Sequence, residues 1–159
     1  MNNYYFHLGI ILLCLCTIGH SRGQAQTVQN TDTGYELWLN YKPVQDLSLK
    51  ESYIQLYSQV NLPHCKYDGV IAEELKRSLK ATLGITPQFI SNTRASIQMS
   101  YCKDKSLGME GYLIRNNNNK IILQAYSDAG FLYGTFHLIR LIQCEYPLDR
   151  LNIREVPAL

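Results

Sequence analysis

The sequence predicts an α+β fold: a mostly antiparallel sheet with two helices on one face, in a single domain that follows a signal peptide. Three observations predict it. Residues 112–125 show period-two patterning on both sides of Asn116–Asn119, the mark of a hairpin. Residues 69–83 place Ile71, Leu75, Leu79 and Leu83 at steps of four, one stripe of a helix. Residues 128–143 are apolar on nearly every side, with Phe131, Leu132, Tyr133, Phe136, Leu138, Ile139, Leu141 and Ile142, as expected of a buried helix.

Taken in order, residues 1–25 read as a signal peptide. The apolar core from Leu8 to Gly19 is too short to span a bilayer, and Gly23 and Ala25 suit cleavage after Ala25. No Lys or Arg precedes that core, only the terminal amine and His7. Cys16 follows Leu13-Cys14-Leu15, without the small residues that a lipid-modified cysteine favours. Cleavage implies export, to the periplasm or the outside. Residues 26–33 form a polar, flexible arm, and residues 34–157 the folded domain.

In that domain Tyr35, Leu37, Leu39 and Tyr41 share one strand face, with Trp38 on the other. Trp38 suits packing on the sheet or against a neighbouring domain, or a sugar platform. Residues 42–51 read as a loop, with Pro43, Asp46 and Ser48 supplying turn chemistry. Residues 53–60 fit a strand through Ile54, Leu56, Ser58 and Val60. They fit a helix equally through Leu49, Tyr53, Leu56, Tyr57 and Val60. Asn61 to His64 ends either one.

Asp68 is placed to cap the helix over 69–83, and Gly84 to stop it. Glu73 pairs by spacing with Lys76 and Arg77 on a solvated face. Glu73 and Glu74 diverge by about 100° around a helix, so they cannot converge as a catalytic pair. Residues 85–92 cross to the sheet past Pro87. Ala95, Ile97, Met99 and Tyr101 then alternate with Ser96, Gln98 and Ser100 as a strand with one buried face. Residues 103–109 form a polar loop. In the hairpin that follows, asparagine tolerates the left-handed backbone of the turn. Asp128 is placed to cap the last helix, and Gly130 and Gly134 share a face that lets it approach a sheet closely. Pro147 ends that region, and residues 152–159 lead out extended.

Chemistry-bearing residues are few. The 15 basic and 13 acidic residues form no basic stripe, which argues against nucleic acid as a partner. Past the signal peptide, Cys65, Cys102 and Cys144 allow one disulfide with a thiol left over, or three buried thiols. His137 sits in the apolar helix, as a core or interface histidine would. His64 adjoins Cys65, but no paired spacing suggests zinc. No nucleophile elbow or phosphate loop occurs. The sequence therefore predicts no catalytic residue, no metal ligand and no cofactor.

Two stretches carry a resemblance. Gly34-Tyr-Glu-Leu-Trp-Leu-Asn-Tyr41 resembles the opening of the family 67 α-glucuronidases. The run from Glu110-Gly-Tyr112 through Asp128-Ala-Gly-Phe-Leu-Tyr-Gly-Thr-Phe-His-Leu-Ile-Arg-Leu-Ile-Gln143 resembles the end of a domain that precedes the catalytic barrel in certain glycoside hydrolases, a group that includes the β-hexosaminidases. The resemblance covers residues 34–157 and implies a non-catalytic N-terminal accessory domain of a secreted α-glucuronidase. Such enzymes remove (4-O-methyl)glucuronic acid from xylan-derived oligosaccharides.

Their catalytic acids lie in the barrel, which needs about 250 residues. The resemblance therefore implies that this chain lacks the barrel, is inactive alone, and has Asp104, Glu110 and Asp128 as loop, strand-edge and cap residues. The implied partner is the (β/α)8 barrel of the same enzyme, with oligosaccharide engaged only indirectly and no membrane after signal removal. An apolar face meant for that barrel would lead the isolated chain to self-associate. The alternative is a free-standing secreted carbohydrate-binding or structural module, with Tyr35, Trp38, Tyr41, Tyr53 and Tyr57 as its aromatic surface.

Overall fold

The computed structural model describes residues 40–157. The strand expected over 34–41 and the signal segment lie almost wholly outside them. Three helices and six strands follow in the order α1 (Leu47–Tyr57), β1 (Gln59–Asn61), α2 (Asp68–Thr82), β2 (Gln88–Phe89), β3 (Ile97–Tyr101), β4 (Tyr112–Asn117), β5 (Lys120–Ala125), α3 (Asp128–Gln143) and β6 (Asn152–Glu155). Short 3-10 turns at Lys105–Leu107 and Leu148–Arg150 precede β4 and β6.

The α+β class holds, but the sheet is mixed rather than mostly antiparallel. Its order is β2-β1-β3-β5-β4-β6. β1 runs parallel to β2 and β3, and β3 parallel to β5, while β4 is antiparallel to β5 and β6. The reason lies in the connections. A helix that runs back along a sheet returns the chain to the end where the strand began, so the next strand is parallel to the last. α2 makes that crossover from β1 to β2, and α3 makes it from β5 over β4 to β6. Only the hairpin joins two strands by a tight turn, and it inserts β5 between β3 and β4.

That hairpin forms as the sequence expects. Asn117 pairs with Lys120, and Asn118 and Asn119 take φ of 49° and 60°. Two consecutive positive φ values match the turn whose twist suits paired strands.

The segment that fitted two periods is a helix. α1 starts at Leu47, inside the expected loop, because the Asp46 carboxylate accepts from the Leu49 N–H at 3.0 Å and caps it. Only residues 59–61 pair as a strand. Tyr53 and Tyr57 pack edge to face, with centroids 6.4 Å apart, and both are fully buried.

The other two caps differ from expectation by one residue. α2 begins at Asp68 itself, whose carboxylate accepts from Gly69 N at 2.7 Å, and its N-cap Tyr67 makes no side-chain cap bond. In α3 the cap is Ser127, whose hydroxyl accepts from Gly130 N at 3.4 Å. Asp128 is the first helical residue and turns its carboxylate elsewhere. Gly84 does stop α2, at φ 78°.

The helices share one core on one side of the sheet. Tyr57, Val60, Ile71, Leu75, Leu79, Ile97, Ile114, Ile121, Leu123, Phe131, Leu138 and Ile142 all belong to it. Gly130 and Gly134 let α3 sit close. A Cβ on Gly130 would lie 2.5 Å from the Gly111 carbonyl oxygen and 2.8 Å from Ala125 Cβ, and one on Gly134 would meet the Leu123 and Tyr112 side chains.

Candidate functional site

α3 is not buried all round. Its inner face carries Phe131, Leu138, Ile139 and Ile142, but Tyr133 is 46% exposed and Phe136 37%. Tyr133, Phe136, His137 and Arg140 stand three, four and seven residues along from the first, so they form one outward stripe. The uniform apolarity of the sequence hid this stripe, because periodicity cannot separate two apolar faces of one helix.

His137 is tied into the sheet below it. The Tyr112 phenol oxygen lies 2.7 Å from His137 Nδ1, with the rings edge to face at 5.7 Å. Burial, with a smaller push from Glu155, raises the Tyr112 phenol to about 12. Burial pulls the His137 imidazole below its usual value, Glu155 opposes this, and Arg140 adds to it. A phenol that keeps its proton facing a neutral imidazole means that Tyr112 donates to Nδ1, which leaves the ring proton on Nε2.

A second cluster gathers where β1 and β3 end and α2 and α3 begin. Asp128 accepts from the Tyr101 phenol at 2.5 Å and from the Lys66 N–H at 3.0 Å. Those two bonds, the phenol's first, hold the Asp128 carboxyl below the usual range. Burial and the facing carboxylate push the Tyr101 phenol up, and its ring packs edge to face on Phe131 at 4.7 Å. His64 Nδ1 lies 2.8 Å from an Asp68 oxygen, and this contact lowers the Asp68 carboxyl. Leu62, His64, Asp68 and Phe89 help line an open cleft of 440 Å³ beside them. Each carboxylate here already has its donors, so the cluster's evident work is to staple the residue 62–67 loop to the sheet.

The remaining candidates resolve as structural. Arg77 pairs with Glu74, and Glu73 holds Lys76 at 2.7 Å on the solvated side. Glu74 is buried and accepts from both Arg77 and the Tyr41 phenol, tying the start of the described chain to α2. Its placement could not be read from helical spacing, because Tyr41 is distant in sequence. Asp104 accepts from Ser106 and, at 2.8 Å, from Arg154; these bonds, that from Ser106 first, hold its carboxyl down to about 2. The proposed aromatic sugar surface fails for Tyr53 and Tyr57, which are buried, and for Tyr41, which is engaged with Glu74; Tyr35 and Trp38 lie outside the described residues. Cys65, Cys102 and Cys144 are free thiols. Only Cys65 is buried, and burial raises its thiol. Among the described residues, no three His, Cys, Asp or Glu side chains gather at a point.

A search of curated proteins finds no match. Among solved structures, the chain is similar to Streptomyces plicatus N-acetyl-β-hexosaminidase in complex with thio-NAglucal. The likeness has 15% identity and a TM-score of 0.43, and covers 49% of this chain. The matched region spans 15% of that enzyme's chain. The sequence profile described as "Glycosyl hydrolase family 67 N-terminus" matches residues 37–138. That match runs from the start of the Leu37-Trp38-Leu39 motif, through α1, α2 and the hairpin, into α3. Because it covers well over half of the sequence, the chain belongs to the glycosyl hydrolase family 67 N-terminus family.

Proposed function

We propose that the chain is the non-catalytic N-terminal accessory domain of a secreted α-glucuronidase that removes (4-O-methyl)glucuronic acid from xylan-derived oligosaccharides. In this reading its partner is the (β/α)8 barrel of that enzyme, and the outward stripe of α3 is the surface that the barrel covers. The family match over residues 37–138 carries the reading.

The state of the carboxylates supports it. Inverting hydrolysis needs two of them facing across a sugar, roughly 6.5–9.5 Å apart, with one kept protonated. Here Asp104, Asp128 and Glu74 are each occupied by donors within the domain, and Asp104 and Asp128 are held low rather than raised. Aromatic residues set in a polar surround are the usual make-up of an interface core. Export rests on the signal-like residues 1–25, whose fate an N-terminal sequence of the secreted protein would establish.

The test expresses the chain together with a family 67 α-glucuronidase barrel as separate polypeptides. Co-elution of the two, lost when Tyr133 and Phe136 are both changed to Ser, supports the reading. Separate elution of two folded species contradicts it.

A further inference from the structure

A cavity of 510 Å³ opens where β4 meets the 3-10 turn that precedes β6. Arg115 and Asn116 of β4, the 3-10 turn with Asp149 and Arg150, and Leu151 and Asn152 at the start of β6 line it. Its charge is not balanced from within. The Arg115 guanidinium has no hydrogen-bond or ion-pair partner among the described residues. Among the described residues Arg150 meets only Asp149, at 3.6 Å, and both are largely exposed. The lining thus holds two guanidinium groups and one carboxylate.

We propose that this cavity binds a small hydroxylated carboxylate of the uronic-acid class. A guanidinium presents a rigid fork of donors that matches a carboxylate with two parallel bonds, and an anion beside Arg115 would neutralise the cavity's surplus charge. The volume falls within the roughly 300–1,000 Å³ of small-molecule sites. Asn116 and Asn152, also in the lining, supply amide groups for hydroxyls. Asn116 is already oriented, because its Nδ2 donates to the Leu148 carbonyl at 2.7 Å and fixes the 3-10 turn against β4. The turn held in this way carries Arg150, which lines the same cavity as Arg115. The choice of a sugar acid rests on the α-glucuronidase reading; the demand for a carboxylate rests on the two arginines alone.

The test titrates the full chain with sodium glucuronate by calorimetry and NMR, with glucose and sodium acetate as comparators. Saturable glucuronate binding is expected, with backbone shifts centred on residues 115, 116 and 149–152. Glucose, which has no carboxylate, and acetate, which has no hydroxyls, should bind far more weakly. Arg115→Ala should weaken glucuronate binding roughly tenfold or more, the worth of a charged hydrogen-bonded contact. Arg94→Ala, another exposed arginine, should leave it unchanged. Arg115 is on the surface, so equal thermal melts of the variants should show that folding is intact. No saturable binding, binding unaffected by Arg115→Ala, or equal binding of glucose or acetate would each overturn the proposal. Co-elution with a barrel is independent of these results, so failure here leaves the accessory-domain reading standing.

Discussion

Tyr112 and His137 meet at 2.7 Å, phenol oxygen to Nδ1, and join the first strand of the hairpin to the outward face of α3. The bond as drawn needs a neutral imidazole. Burial holds the His137 pKa below the ordinary value of about 6.5, so folding favours the neutral form. Its stabilising contribution is complete above that ordinary value and is lost as pH falls through it towards the lower folded value. Urea unfolding between pH 7.5 and 5 should therefore show stability falling with pH, and His137→Gln should flatten the slope over that window. An unchanged slope in the variant would place the dependence elsewhere.

Gly130 predicts an exception to helix propensity. Ala is favoured over Gly in a helix interior by about 1 kcal/mol. At Gly130 the added Cβ would meet the Gly111 carbonyl at 2.5 Å, and backbone cannot step aside. Gly130→Ala should lower unfolding stability by about 1–3 kcal/mol, as overpacking does. Denaturant midpoints check this, and a stabilised variant would mean that α3 rides higher on the sheet.

Tyr57 reaches from α1 to donate its buried hydroxyl to the Leu138 carbonyl at 3.2 Å. That carbonyl lies mid-helix and also accepts within α3. Tyr57→Phe therefore strands no acceptor and should cost about 0.5–1.5 kcal/mol in chemical denaturation. A much larger loss would mean that the hydroxyl fixes the position of α1.

Asp104 gives an acid-side prediction. Hydrogen bonds from Ser106, then from Arg154, hold it down to about 2, below its usual 3.8. Its contribution is present above the usual value and lost as pH falls from there towards 2. Thermal melts from pH 5 to 2 should fall more steeply for the native chain than for Asp104→Asn, and parallel curves would count against the network.

Tyr133 and Phe136 leave aromatic surface open to solvent. Changing both to Ser should lower self-association of the isolated chain in sedimentation runs while leaving its melting temperature nearly unchanged, since neither belongs to the core cluster. Equal association in both forms would remove this stripe as the sticky surface.

Much of this molecule was legible in advance where local chemistry decides. The hairpin was visible because asparagines occupy the two left-handed positions, and α2 because Ile71, Leu75 and Leu79 step along one face. β1 and β2, of 3 and 2 residues, are too short to leave a period. Their parallel pairing follows from the α2 crossover, which no local pattern displays, so the sheet read as mostly antiparallel. The caps slipped by one residue because Asp68 and Asp128 carry the same chemistry as a cap. Tertiary partners, such as Lys66 and Tyr101 for Asp128, draw such side chains elsewhere. The candidate surface stayed hidden for a related reason: Tyr133 and Phe136 have the same polarity class as the buried Phe131 and Leu138, and only packing sorts them.

The most direct test of the central claim is the intact mass of the polypeptide that carries this sequence in its source cell, read by immunoblot and mass spectrometry. The accessory-domain account predicts one species longer than these residues by at least a barrel of about 250 residues. A species that ends near Leu159 and circulates alone would contradict it.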